Sequence, residues 1–152
     1  MQITIFAGEI FTDALELLKP VFLENAETSA KKKVILATVE GDYHDIGKNI
    51  VRSVLISKGL EVIDLGVDAA PAKIVETAKV ENADVIALSV VLTFSINAMQ
   101  KTIEICEKEG IRNRIRIVIG GSSANETIAM KIGADRYCQT PEETAKFCLT
   151  EG

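Results

Sequence analysis

The single histidine in this chain of 152 residues, His44, lies between two carboxylates, Asp42 and Asp45. A neutral imidazole can give one ring nitrogen to a metal while a carboxylate holds the proton on the other nitrogen. Asp42, two residues before His44 in a locally extended loop, can point to the same side and supply that carboxylate. If the segment stood alone, a solvated loop histidine would be the better interpretation.

The flanking segments place His44 on a loop. Residues 34–39 are apolar and β-branched, as in a buried strand, and residues 47–51 open a segment with helical periodicity. The imidazole is therefore expected just beyond the carboxyl end of a first strand. In open α/β sheets, ligands bind at that edge.

Two further groups of residues follow at the ends of apolar runs. After Gly47 come 41 residues, and then Ser89, Val91, Thr93 and Ser95 lie within one short segment. After Val91 come 28 residues, and then the pair Gly120-Gly121. Glycines let a ligand approach the backbone closely, so these ends suit a deep, narrow slot. Taken alone, the glycine pair would indicate an ordinary strand-to-helix turn.

The combination D-x-H-x-x-G, S-x-V and G-G at these spacings resembles the cobalamin-binding signature. The sequence of residues 41–51 is most similar to the methyl-transfer branch of the cobalamin-binding proteins. That branch comprises methionine synthase and the corrinoid proteins of methanol, methylamine and aryl-ether demethylation. The resemblance covers roughly residues 5–150. Val91 replaces a leucine of the signature, and Tyr43 is bulkier than the residue usual between the aspartate and the histidine.

The resemblance implies a bound cobalamin whose own nucleotide base is displaced and buried, with His44 replacing that base on cobalt. It also implies a relay from His44 through Asp42 to Ser95. A plain helix cap would explain Ser95 as well, and capping is the preferred interpretation of Asp45. The residues expected to contact the cofactor are Asp42, Tyr43, His44, Asp45, Ile46, Gly47, Ser89, Val91, Thr93, Gly120 and Gly121.

Composition sets the class of protein. A hydrophobic content of 47% without an apolar run near 18 residues indicates a globular domain and no membrane span. The net charge of −5, without a basic stripe, argues against a nucleic-acid partner. Three cysteines share no metal-ligand spacing, and no secretory signal is evident, so a reduced cytoplasmic compartment is expected. Cys106 is expected to be a buried small apolar side chain.

Strand-like and helix-like segments alternate after residue 32, which predicts a doubly wound parallel sheet. We expect a flavodoxin-like (Rossmann-like) α/β domain over residues 33–152, with five strands in the order 2-1-3-4-5. The predicted strands are 34–39, 62–65, 85–90, 115–119 and a short one near Tyr137. The predicted helices are 46–58, 71–79, 95–110, 125–132 and 141–149.

Residues 1–32 differ from the rest. An amphipathic helix is predicted over residues 9–24, with Phe11, Leu15, Leu18 and Phe22 on one stripe, followed by a polar linker. The segment resembles the last helix of the bundle that caps the reactive corrin face in relatives, but it would equally serve as a helix packed on its own sheet. If the cap is supplied by a second copy, the chain forms a homodimer.

The preferred function is a corrinoid methyl carrier that works between a substrate-specific methyltransferase and a second methyltransferase, and is not an enzyme alone. The alternative is the cobalamin-binding small subunit of an adenosylcobalamin-dependent mutase. A cobalamin-dependent sensor and a receiver-like domain that binds no corrin remain further interpretations. The sequence does not name the methyl donor.

Overall fold

A five-stranded parallel sheet forms the centre of the computed structural model, which describes residues 31–150. The strands run in the order β2-β1-β3-β4-β5, which confirms the predicted order. The strands are β1 (Lys33–Thr38), β2 (Glu61–Asp64), β3 (Val85–Ser89), β4 (Arg116–Gly120) and β5 (Arg136–Tyr137). The helices are α1 (Ile46–Ser57), α2 (Pro71–Val80), α3 (Ile96–Lys108), α4 (Glu126–Ile132) and α5 (Pro141–Leu149).

The three central strands are apolar on both faces because helices cover both. On one face, Leu36 and Val118 pack against α1 and α5 through Leu55 and Phe147. On the other face, a larger cluster joins the sheet to α2, α3 and α4, with Met99 among its fully buried members. Alternate strand residues point to opposite faces, so each strand contributes to both clusters.

Cys106 belongs to the larger cluster and is fully buried, as expected of a small apolar side chain. Burial raises the pKa of its thiol to about 11, so the thiol is protonated at neutral pH.

Helix ends follow local chemistry, with one correction. Asn125 and Thr140 have extended backbones, and their side chains accept hydrogen bonds from the first turns of α4 and α5. Asp45 occupies the equivalent position before α1, but its side chain makes no capping hydrogen bond, so the predicted cap is wrong. Its backbone already lies in the helical region (φ −116°, ψ −16°), which does not direct the carboxylate back towards the first turn.

The predicted helix over residues 95–110 is shorter in the structure, because Thr93–Ser95 form a separate 3-10 turn and α3 begins at Ile96. The helix predicted over residues 9–24 lies outside the described residues, and the homodimer that depended on it stays a prediction. Within residues 31–150, none of the helices combines the length and apolar character needed to cross a membrane.

Gly121, directly after β4, lies where two loops meet. Its φ of +106° belongs to the left-handed region that favours glycine. A Cβ atom at this position would lie 2.0 Å from the carbonyl oxygen of Val90. The absent side chain therefore lets the ends of β3 and β4 approach each other.

We predict that Gly121→Ala lowers the free energy of unfolding by about 2 kcal/mol or more, since it adds both a clash and backbone strain. Gly47→Ala is the matched control, because a Cβ on this helical glycine meets nothing within 4 Å. That control should raise stability by about 0.5 kcal/mol. Urea unfolding of both variants measures the difference, and equal stabilities would contradict the close approach.

Candidate functional site

The carboxyl ends of β1 and β3 bring His44 and Asp42 together with the loop after β3. His44 Nδ1 lies 2.6 Å from Asp42 Oδ1. The His44 side chain is 54% exposed, whereas the Asp42 side chain is completely buried. The pair predicted from the D-x-H spacing is therefore present, with the carboxylate inside the fold and the imidazole at its surface.

Asp42 accepts four hydrogen bonds. Oδ1 accepts from the backbone N–H of His44 at 3.0 Å as well as from the ring, and Oδ2 accepts from Val91 N at 2.7 Å and Leu92 N at 2.9 Å. Burial alone would raise the pKa of the Asp42 carboxyl, but these hydrogen bonds outweigh it and lower the pKa from 3.8 to about 2. The group is therefore ionised at neutral pH.

An ionised Asp42 can only accept, so the bonded ring proton of His44 lies on Nδ1. In the neutral imidazole, Nε2 then carries a lone pair and can ligate a metal or take up a proton. The backbone of this residue is also held, because Thr38 Oγ1 donates to His44 O at 2.8 Å. The arrangement presents one fixed nitrogen ligand at the edge of the sheet.

The predicted hydrogen bond between Ser95 and Asp42 is absent, which corrects the relay. Ser95 is buried, and its Oγ has no hydrogen-bond partner among the described residues. It faces Gly41 instead, since a Cβ built there would lie 3.1 Å from this oxygen. Both oxygens of Asp42 already accept two N–H groups, so the relay in this structure ends at the carboxylate. Ser95 also makes no capping hydrogen bond to α3.

A cavity of about 630 Å³ opens between α1 and α5, over the carboxyl halves of β1, β3 and β4. Four predicted site residues line it, namely Gly47, Ser89, Gly120 and Gly121. Apolar side chains such as Leu36, Val51 and Val118 form much of the remaining wall. Its size and position suit an elongated, partly apolar group that enters from the edge where His44 lies.

The other predicted contact residues surround the loop and do not line this cavity. Tyr43 is 68% exposed beside His44, and Val91 contributes its backbone to Asp42. Thr93 is exposed in the 3-10 turn, whereas Asp45 and Ile46 lie at the start of α1.

The glycines of the cavity differ in what they do. The absent side chain of Gly121 makes room for Val90, whereas a Cβ on Gly47 would enter open space. Gly120 is intermediate, since its Cβ would lie 3.2 Å from Cys138 O. Of the three glycines expected to border a slot, Gly47 has open space beside it, whereas Gly121 serves the close packing of β4 against the residue after β3.

Sequence reasoning missed the far wall of the cavity and three charged residues near the site. β5 and the start of α5 supply Tyr137, Cys138, Gln139, Thr140, Pro141 and Thr144. Lys48, also at the wall, is buried and forms an ion pair with Asp64 (Nζ–Oδ2 2.7 Å). Asp68, after β2, bonds to the loop before His44. The position of both aspartates at the carboxyl end of β2 was the available signal.

Residues 32–146 match the B12 binding domain family. Dimethylamine corrinoid protein 1 of Methanosarcina acetivorans is 40% identical over 137 residues, a match that spans 90% of this chain and 64% of that protein. The chain thus spans somewhat less than two thirds of this relative.

Solved structures agree with this match. A cobalamin-binding protein from Desulfitobacterium hafniense DCB-2 has a TM-score of 0.78 and 39% identity, with coverage of 97% of this chain and 68% of its own. The methanol:cobalamin methyltransferase complex of Methanosarcina barkeri matches with a TM-score of 0.72, 26% identity, and coverage of 81% and 48%. The sheet order, the His44–Asp42 pair and these matches agree, and the chain belongs to the B12-binding domain family of cobalamin-binding corrinoid proteins.

Proposed function

We propose that this chain is a methyl-carrying corrinoid protein in which Nε2 of His44 would ligate cobalt. The observation that carries the proposal is the 2.6 Å bond between Nδ1 of a half-exposed imidazole and a buried carboxylate. That bond leaves a single nitrogen directed to ligation, and a carboxylate behind a ligating histidine is the usual way to fix its tautomer.

The displaced nucleotide tail of the cofactor would occupy the cavity between α1 and α5. The cavity has a volume of about 630 Å³, which is large enough for this tail, and its wall is largely apolar. Gly47, three residues after His44, borders it. Ser89, which pairs in register with Gly120 of the neighbouring strand, offers a hydroxyl to the cavity, and Gly121 also lines it. These residues fit a cofactor whose base has left the metal.

The bound cobalt would supply the centre that accepts and releases a methyl group. The residues of the chain would bind the cofactor and hold the imidazole of His44 in place. Asp42 keeps the proton at Nδ1, which leaves the lone pair on Nε2 for ligation. The imidazole would then hold the metal through Nε2.

A protein that carries a methyl group needs partner enzymes that load and unload it. The reacting methyl group must come from one methyltransferase and pass to a second, so the chain would not complete the reaction alone. The Methanosarcina barkeri neighbour was solved as a methyltransferase complex, which supports such a partner. The similarity to a dimethylamine corrinoid protein favours this role over a mutase subunit.

We predict that His44→Ala removes the axial imidazole while cobalamin still binds weakly through the tail. Absorption spectra of the reconstituted protein should change from the histidine-ligated form to a form without an axial base, and added imidazole should partly restore the first. Glu40→Gln, which removes a neighbouring exposed carboxylate, serves as the control. A His44→Ala spectrum identical to that of the unmodified protein would exclude His44 as the ligand.

A second prediction tests the cavity. Gly47→Leu should weaken cobalamin binding by about 1–3 kcal/mol, because its side chain enters the open space that the tail needs. That range corresponds to at least about a fivefold rise in Kd. Gly47→Ala should have a smaller effect, and neither variant should unfold at lower urea. An unchanged Kd for the leucine variant would place the tail elsewhere.

A further inference from the structure

Asp68 lies in the loop after β2, outside every motif that the sequence brought forward. Its side chain is exposed, and its backbone has a φ of +50°. Few residues other than glycine adopt this left-handed conformation, although aspartate and asparagine tolerate it better than most. A residue held in such a conformation on the surface needs contacts that maintain it.

Those contacts all reach the loop that carries the histidine. The N–H of Asp68 donates to Asp42 O at 2.9 Å. Its Oδ1 accepts from Gly41 N at 2.8 Å, and its Oδ2 accepts from the hydroxyl of Tyr43 at 3.0 Å. One residue thus binds three consecutive residues that end directly before His44.

We propose that Asp68 is a positioning residue for the cobalt ligand, which rests on the proposed role of His44. Asp42 is held by Val91 and Leu92 from the side of β3, and Asp68 holds the same loop from the side of β2. Without the second set of bonds, residues 41–43 would be free to shift, and Asp42 and the imidazole would shift with them.

The bond to Tyr43 extends this effect. The tyrosine ring is 68% exposed and directly precedes His44, yet its hydroxyl is fixed by Asp68. An exposed ring without such a bond would sample several rotamers beside the ligand. Asp68 therefore restricts both the loop backbone and the side chain next to the imidazole. Partners behind a metal-binding histidine typically change metal affinity by roughly 10- to 100-fold.

Asp68→Gly is the decisive variant, because glycine accepts the left-handed backbone and loses only the carboxylate contacts. Asp68→Asn is the conservative variant. Its amide oxygen can accept from Gly41 N, and its NH₂ group can donate to the Tyr43 oxygen. Tyr43→Phe removes the hydroxyl bond alone. Glu40→Gln removes an exposed carboxylate of the same loop and controls for charge.

The test uses the chain of 152 residues without any tag, labelled with ¹⁵N-histidine. The protein would be loaded with cobalamin, and the cobalt would be reduced to Co(II). Electron paramagnetic resonance would then detect the nitrogen bound to cobalt. His44 is the only histidine, so the change of the nitrogen splitting from a triplet to a doublet reports its ligation alone. We expect Asp68→Gly to lower the equilibrium constant for histidine ligation by roughly tenfold, the low end of the range for groups bonded directly to a ligating histidine, because Asp68 acts through residues 41–43. Tyr43→Phe should lower it less, and Asp68→Asn and Glu40→Gln should match the unmodified protein, with similar unfolding midpoints throughout.

The outcomes separate the two proposals. If the unmodified protein shows no doublet, His44 is not the ligand, and both proposals fail. If it shows the doublet and Asp68→Gly matches it, the positioning role alone is wrong. An Asp68→Asn variant as impaired as Asp68→Gly would also overturn positioning by hydrogen bonds, because charge would then be the cause.

Discussion

The buried carboxylate of Asp42 is the interaction on which the site depends. A charged group without water is costly unless its oxygens are satisfied, and here four N–H groups satisfy them. Two of those groups come from Val91 and Leu92, so the same carboxylate joins the loop after β1 to the loop after β3. The carboxylate that joins these two loops therefore also holds the imidazole. The half-exposed imidazole is thereby held by a hydrogen bond to a fully buried group.

The sheet order explains why these two loops meet. β1 and β3 are neighbours, but α1 after β1 and α3 after β3 cover opposite faces of the sheet. The chain therefore diverges between them, and a crevice opens at this point of an α/β sheet. The loop that carries Asp42 and His44 occupies the crevice. The cavity continues from this crevice along the face covered by α1 and α5. The polar edge that carries His44 and the mostly apolar cavity are thus produced by one topology.

Charged and polar residues behind the loop that carries His44 are also linked to it by hydrogen bonds. The buried Lys48 pairs with Asp64, and Asp64 Oδ1 accepts from Gly66 N at 2.8 Å. The carbonyl of Gly66 in turn accepts from Thr38 N at 2.9 Å, and Thr38 bonds to His44 O. A buried ion pair contributes little net stability, but it selects one geometry when all its partners are satisfied. In this protein that geometry is the register of β2 and its loop against the histidine loop.

The sequence alone determined the strand order and the His44–Asp42 pair, and both rest on local rules. Apolar runs that alternate with helical segments allow few right-handed arrangements, and residues two apart in an extended loop share a side. The tertiary structure decided the rest. Two of the four donors to Asp42 come from 49 and 50 residues later in the chain, and with them the carboxylate is satisfied without Ser95. The close approach at Gly121 likewise depends on how two separate loops meet, and no local pattern encodes it. The position of Asp68 after β2 indicated the edge of the sheet on which it lies, but not which residues it would contact.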